Sequence, residues 1–193
     1  MSNDKLSEAQ AIYVSEIRKV QESADTWRDF LDFSAKVMVN NNQSEFEFSS
    51  KLIIHARNSK ATDCRQFGEW KTNDGNHVNR YEKGIPVLSR DKSGKQSVTY
   101  LFDTSQTAFP KEPERVAIPD AHKDNFKSEL NSVIDRLSDN VSFSDEQKRL
   151  FRETAEYKFC KQYQLDISEN TERFSGIENL SVREIANIGI VLN

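Results

Sequence analysis

The chain has 193 residues and a formal net charge of −4, with 36% hydrophobic and 30% charged residues, and its twelve phenylalanines favour a folded chain over a disordered one. No apolar run reaches the roughly 18 residues of a membrane-spanning helix, and the first residues lack the basic start of a secretory signal. Two distant cysteines form no Cys-x-x-Cys pair, so the composition predicts a cytoplasmic protein without membrane contact, disulfide framework or structural zinc.

The first 38 residues carry apolar side chains every three or four positions, which is the spacing of one helix face. The members of this stripe are Tyr13, Ile17, Val20, Ala24, Trp27 and Leu31. Residues 6–38 are therefore predicted to form one long helix or two abutting helices, the second capped by Ser23 with Thr26. A further helix is predicted over residues 45–57.

Turn-forming residues punctuate the chain beyond residue 60, and short apolar runs lie between them. Residues 85–88 and 98–102 are predicted to be strands of a β-hairpin around a five-residue loop that contains Gly94. Pro86 has no N–H to donate, which places its strand at a sheet edge or its amide position outward.

The last third of the sequence is predicted to be helical. Helices are expected over residues 121–138 and after the capping signatures that begin at Ser144 and Ser181. The sequence thus predicts an α+β fold, with N-terminal helices packed on a small antiparallel sheet with a β-hairpin, followed by a helical C-terminal appendage. The predicted domains are residues 1–109 and 121–193, joined by a linker at 110–120 that contains three prolines.

Basic residues are concentrated in the middle of the chain. The net charge is −3 over residues 1–34, +3 over residues 35–109 and −4 over residues 110–193. Residues 51–95 hold ten basic and five acidic side chains, interleaved with Phe67, Trp70 and Tyr81. Cations that meet phosphates and flat rings that stack on bases are what a single-strand binding surface needs, although ordinary solvated surfaces have similar composition.

Several motifs of the first two thirds occur in a recognisable order. They are Trp27-x-x-Phe30-Leu31-x-Phe33, Phe48-x-x-x-Leu52-Ile53-Ile54, Ala61-Thr62, Phe67-x-x-Trp70, Lys83-Gly84-Ile85 and Tyr100-x-Phe102-Asp103-Thr104-Ser105-Gln106-Thr107. In this order they resemble the N-terminal single-stranded-DNA-binding domain of the ArdC antirestriction family, over roughly residues 23–107. That family occurs on plasmids, phages and integrative conjugative elements. Residues 151–166 are similar to the segment that follows this module in large conjugative-element proteins.

The sequence departs from the family in two places. Asn79 and Tyr81 stand where the family usually has a basic residue and a glycine. ArdC itself continues into a metallopeptidase-like domain with His-Glu-x-x-His, which this sequence lacks; its three histidines, His55, His77 and His122, have no metal-ligand spacing. A zinc peptidase is therefore excluded.

Other catalytic patterns are also missing from the sequence. It has no GxGxxG, Walker or GxSxG motif. Cys64 with His55 or His77 is a conceivable nucleophile pair, but a buried cysteine is the favoured interpretation. Asp103 is interpreted as a side-chain cap at a strand end rather than as a metal or phosphate ligand. The sequence predicts no catalytic residue, cofactor or metal.

The predicted binding site lies within residues 57–83. Trp70 and Tyr81 are the stacking candidates, although Trp70 and Phe67 are equally typical of a small core. The predicted phosphate contacts are Arg57, Lys60, Arg65, Lys71, Arg80 and Lys83.

Three functions are compatible with this site. The leading one is a non-catalytic accessory protein of a mobile element that binds single-stranded DNA, or RNA. The second is a stand-alone anti-defence protein that inhibits a restriction or CRISPR nuclease by binding host protein or guide RNA. The third is a non-catalytic fragment of a larger conjugation enzyme.

Overall fold

Two helices separated by a capping turn open the fold. In the computed structural model, which describes residues 2–40, 43–114, 118–139, 141–167, 170 and 172–191, α1 spans Ser2–Val20 and α2 spans Ala24–Lys36. The Thr26 N–H donates to Ser23 Oγ at 3.2 Å, and the Ser23 N–H donates to Thr26 Oγ1 at 3.0 Å. This reciprocal cap confirms the predicted pair of abutting helices.

Four strands form one mixed sheet in the order β1-β2-β4-β3. The strands are β1 (Met38–Asn40), β2 (Asp63–Gln66), β3 (Ile85–Arg90) and β4 (Gln96–Asp103). Strand β4 pairs antiparallel with β2 and with β3, whereas β1 and β2 are parallel. The predicted α+β class is confirmed, but the sheet is not purely antiparallel, because a helix carries the chain from β1 back to a parallel neighbour.

Helix α3 (Glu47–Arg57) makes that crossover and packs on β3. Its three central side chains are fully buried, together with Val87 of β3 and Leu101 of β4; these three are Leu52, Ile53 and Ile54. Each buried aliphatic side chain of this kind contributes about 1.5–3 kcal/mol through removal of apolar surface from water. Helix α3 and the sheet therefore share one apolar core.

The hairpin between β3 and β4 has the predicted five-residue loop. The Asp91 carboxylate accepts hydrogen bonds from the Ser93 hydroxyl, the Ser93 N–H and the Lys95 N–H, and these bonds lower the pKa of Asp91. Gly94 adopts φ +80°, which a glycine tolerates without strain. Strand β3 is at the sheet edge, as Pro86 predicts.

The remaining elements are helical. The other α-helices are α4 (Phe67–Asp74), α5 (Lys123–Asp139), α6 (Asp145–Tyr163) and α7 (Val182–Val191). Short 3-10 helices occupy Ser44–Phe46, Thr104–Gln106, Asp120–His122 and Ile177–Asn179. Ser144 caps α6 and Ser181 caps α7, each by accepting a backbone N–H, as predicted. None of the helices in the described ranges is long and apolar enough to cross a membrane.

The chain divides into two compact units. The sheet unit contains Met1–Arg18 and Val37–Pro113, and the helical unit contains Lys19–Lys36 and Glu114–Leu192. The predicted linker at 110–120 includes this second boundary, but the predicted first domain, residues 1–109, wrongly includes α2.

Helix α2 belongs with the C-terminal helices because its apolar side packs on α6. The Trp27 indole N–H donates to Thr154 Oγ1 at 3.1 Å, and the Tyr157 hydroxyl donates to the Asp32 carboxylate at 3.0 Å. Trp27, Phe30 and the α6 residues around Thr154 are buried. The part of the stripe that lies on α2, with Trp27 and Leu31, therefore belongs to the core of the helical unit, whereas Tyr13 and Ile17 of α1 belong to the sheet unit.

Candidate nucleic-acid interface

Helix α4 carries Phe67 and Trp70, two aromatic residues whose sequence pattern is compatible with either a core or a surface position. Trp70 is 2% exposed, and its indole N–H donates to the Phe102 carbonyl oxygen at 3.3 Å. The Arg65 guanidinium lies over its ring, 4.7 Å from the centroid. A buried ring offers no face to a base, so the prediction of Trp70 as a stacking residue is wrong. Phe67, in contrast, is 63% exposed.

Phe67, Phe102 and Tyr100 form an aromatic row on one side of the sheet unit. The Phe67 and Phe102 rings meet edge to face with centroids 5.8 Å apart. Tyr100 is two residues from Phe102 on β4, so both side chains point from the same face of the strand. Tyr100 is 42% exposed. Tyr100 and Phe102 are not among the predicted site residues, although the period of two along β4 was a usable signal.

Gly84 explains why the row can approach the start of β3 closely. A Cβ at this position would lie 2.9 Å from Phe102 Cζ and 2.9 Å from Tyr100 Cβ. Any larger residue would have to displace both the Phe102 ring and the Tyr100 Cβ, because real Cβ contacts are not this short. The glycine of the Lys-Gly-Ile motif is thus required by packing against the aromatic row.

A cleft of about 810 Å³ adjoins the row, and Tyr100 lines both. Three cations line this basic cleft: Lys5 from α1, Arg57 at the end of α3 and Lys83 before β3. Arg57 and Lys83 were predicted from the sequence. Lys5 was not, because no local signal connects residue 5 with residues more than fifty positions away.

One carboxylate lies among these cations. Glu8 Oε1 is 2.9 Å from Arg57 Nη2, and Glu8 Oε2 is 3.2 Å from Lys5 Nζ. The hydrogen bond to Glu8 raises the pKa of Lys5. Among the described residues that line it, the cleft therefore retains a positive excess, with three cations against one carboxylate.

The other predicted cations are placed differently. Arg65 is half-buried and forms an ion pair with Asp63, with Nη2 2.6 Å from Oδ2. Lys60, Lys71 and Arg80 are exposed, but none of them lines the basic cleft. The structure thus brings together two of the six predicted phosphate contacts and gives Arg65 a structural pairing instead.

Asp103 is a buried hydrogen-bonding centre. Its carboxylate accepts from the Thr62 and Asp63 N–H groups on one oxygen, and from the Ser105 N–H and hydroxyl on the other. The Asp103 N–H in turn donates to Gln106 Oε1. These bonds confirm that Asp103 caps the end of β4 rather than presenting its carboxylate to solvent.

The same motif holds Lys83 in place. Gln106 Nε2 donates to the Lys83 carbonyl oxygen at 3.1 Å and to the Glu82 carboxylate at 2.9 Å. Asn79 contributes two further bonds, from its N–H to the Gln106 carbonyl and from its side chain to the Thr107 carbonyl. The Asp-x-Ser-Gln-Thr sequence therefore holds the backbone of Lys83, a cation of the cleft, and its Gln106 also lines the cleft.

Tyr81 lies at the tip of the loop that these hydrogen bonds hold at Asn79, Glu82 and Lys83. Its side chain is 95% exposed, and its backbone has φ +69°, in the left-handed region that favours glycine. A tyrosine thus keeps here a backbone conformation that a glycine would adopt more easily.

We expect Tyr81→Gly to stabilise the protein by about 0.5–1 kcal/mol. Relief of a left-handed backbone, worth about 1–2 kcal/mol, is partly offset by the extra entropy of glycine in the unfolded chain. Urea unfolding of Tyr81→Gly and Tyr81→Ala tests this, because Tyr81→Ala removes the same ring but keeps a Cβ. A glycine variant less stable than the alanine variant would contradict it.

Comparisons of the chain with protein-family models, curated proteins and solved structures find no match. What the site can do therefore follows from its own chemistry. No three histidine, cysteine, aspartate or glutamate side chains within the described ranges are placed to hold a metal ion.

Cys64 and Cys160 are both buried, which confirms the favoured interpretation of Cys64. Burial raises the pKa of the Cys64 thiol well above its ordinary value, and the nearby Asp103 and Asp63 act in the same direction. The thiolate that a nucleophile requires is thereby disfavoured at neutral pH. His55, one of its two conceivable partners, lies with Nδ1 2.6 Å from Glu16 Oε1.

Proposed function

We propose that the chain binds single-stranded nucleic acid along the aromatic row and the basic cleft, with little preference for sequence. One observation carries the proposal: the aromatic row, with the exposed rings of Phe67 and Tyr100, adjoins the basic cleft at Tyr100, and three cations line this cleft. In keeping with the resemblance to the ArdC domain, we propose single-stranded DNA as the ligand. The chain would then act as a non-catalytic accessory protein of a mobile genetic element.

The physical basis is the combination of stacking and charge. Bases of a single strand are free to stack on protein rings, each such contact contributing about 1–3 kcal/mol. Bases in a duplex are already stacked on each other and are not available to the row. Arg57, Lys83 and Lys5 lie where the adjoining phosphates would run. A preference for single strands over duplex follows from this arrangement.

We expect Phe67→Ala to weaken binding of a fluorescent dT15 oligonucleotide by about 5- to 150-fold, the equivalent of one lost stacking contact. Stability should change little, because the ring is 63% exposed. Fluorescence anisotropy titrations at low salt, with single-stranded and duplex probes, measure the effect.

The matched control is Phe109→Ala. Phe109 is 69% exposed in the same unit, and its ring contacts His77 rather than the aromatic row. It should bind dT15 as the unmodified chain does. Equal affinities for Phe67→Ala, Phe109→Ala and the unmodified chain would show that the aromatic row is not part of the binding site.

A second candidate function is inhibition of a restriction or CRISPR nuclease. The observation that favours it is Tyr81, a fully exposed ring on a loop fastened by Gln106 and Asn79. Tyrosines presented in this way are typical anchors of protein interfaces. Inhibition of such a nuclease that is lost in Tyr81→Ala, in a chain that binds no dT15, would favour this alternative.

A further inference from the structure

The carboxylate of Glu8 lies in the basic cleft, where it competes with an anionic ligand for two of the cations. Glu8 pairs with two of the three cleft cations, Arg57 at 2.9 Å and Lys5 at 3.2 Å. Each of its two carboxylate oxygens takes one cation. The side chains of these residues are about half exposed, at 41% for Glu8, 45% for Arg57 and 60% for Lys5.

A carboxylate and a phosphodiester use the same donors. Both present two anionic oxygens to a guanidinium or an ammonium group, and arginine favours such planar, bidentate acceptors. Ion pairs between exposed side chains are weak, so a ligand can displace Glu8 without a large loss of stability. The position of its carboxylate therefore marks where a ligand phosphate finds two cations ready.

The surroundings of this position suit a nucleotide unit of a strand. Lys83 supplies a third cation in the same cleft, and Tyr100 supplies an aromatic ring at its boundary with the aromatic row. The volume, about 810 Å³, falls within the roughly 300–1,000 Å³ of known ligand sites. A phosphate between Lys5 and Arg57 would place the neighbouring base near Tyr100.

We infer that one phosphate of the bound strand replaces the Glu8 carboxylate between Lys5 and Arg57, so that Glu8 holds down the affinity of the cleft. This inference rests on the proposed function. It assigns Glu8 a regulatory role: the strand binds only after Glu8 has released both cations, and removal of its charge leaves the cleft ready for phosphate.

The test compares Glu8→Gln with Glu45→Gln. Both substitutions remove one negative charge from the sheet unit, and both break exposed ion pairs, since Glu45 lies 3.4 Å from Arg90. Glu45 does not line the cleft. Glu8→Gln should bind dT15 about 3- to 10-fold more tightly than the unmodified chain. Its log affinity should also fall more steeply with log salt, because Glu8→Gln forms the phosphate contact without first breaking the ion pairs of Glu8, whereas the unmodified chain exchanges one set of ion pairs for another.

Glu45→Gln should stay within about twofold of the unmodified chain, with the same salt slope, because its charge is remote from the bound phosphate. Thermal melts verify that both variants are folded, and Glu8→Ala provides a second removal of the same charge. If the unmodified chain does not bind dT15, the proposed function fails and the inference with it. If it binds, and Glu8→Gln and Glu45→Gln behave alike, the inference alone is overturned.

Discussion

In a fragment that ends at residue 109, the apolar side of α2 is expected to become exposed to water. Such a fragment keeps α2 but lacks α6, the helix on which α2 packs. Trp27, Phe30 and Leu31, all at most 2% exposed in the whole chain, would face water. The Trp27 indole N–H would also lose Thr154. An amphipathic helix of 13 residues without its partner is marginal in water.

Circular dichroism melts and binding of a hydrophobic dye measure this result. The fragment should show strong dye fluorescence before it melts, whereas the full chain should bind little dye and melt in one or two sharp steps. The control is the same fragment with Trp27, Phe30 and Leu31 replaced by glutamine, which should bind less dye. A monomeric fragment with a sharp transition and no dye binding would contradict the assignment of α2 to the helical unit.

Trp70→Ala is expected to destabilise the protein by about 3–5 kcal/mol, the usual cost of removing a large aromatic ring from a core. Trp70 is 2% exposed, so its removal leaves a cavity beneath α4. It also removes the hydrogen bond to the Phe102 carbonyl and the ring face under the Arg65 guanidinium. Urea unfolding followed by far-ultraviolet circular dichroism gives the free energy directly.

Phe67→Ala on the same helix is the comparison for Trp70→Ala. It should cost less than about 1 kcal/mol of stability, because most of its ring is already in water. The two variants thus separate folding from binding within one short helix. Loss of dT15 binding by Trp70→Ala, with its unfolding midpoint unchanged, would show that Trp70 contacts the nucleic acid and would contradict its role in the core.

Local signals in the sequence predicted local structure well. The caps at Ser23, Ser144 and Ser181 depend on hydrogen bonds between residues three apart, which a sequence displays directly. The hairpin loop at 91–95 depends on a carboxylate and a glycine within five residues. Asp103 was correctly interpreted as a cap for the same reason.

The predictions that were wrong or missing concern features that only tertiary packing determines. Helix α4 has eight residues, and Phe67 and Trp70 lie three positions apart, almost one helical turn, so periodicity alone could not say which ring is buried. The parallel pairing of β1 with β2 depends on the path of α3 rather than on strand composition. The cleft joins Lys5 to Arg57 across 52 positions, a proximity without a local signature.

The packing of α2 on α6 also has a consequence for biosynthesis. The hydrogen bond from Trp27 to Thr154 spans 127 residues. At about 5–20 residues per second, a ribosome needs roughly 6–25 s to make the partner after the tryptophan has been added. During that interval the apolar side of α2 has no native surface to cover it. The nascent chain thus carries an uncovered apolar segment, prone to aggregation, while the sheet unit is completed.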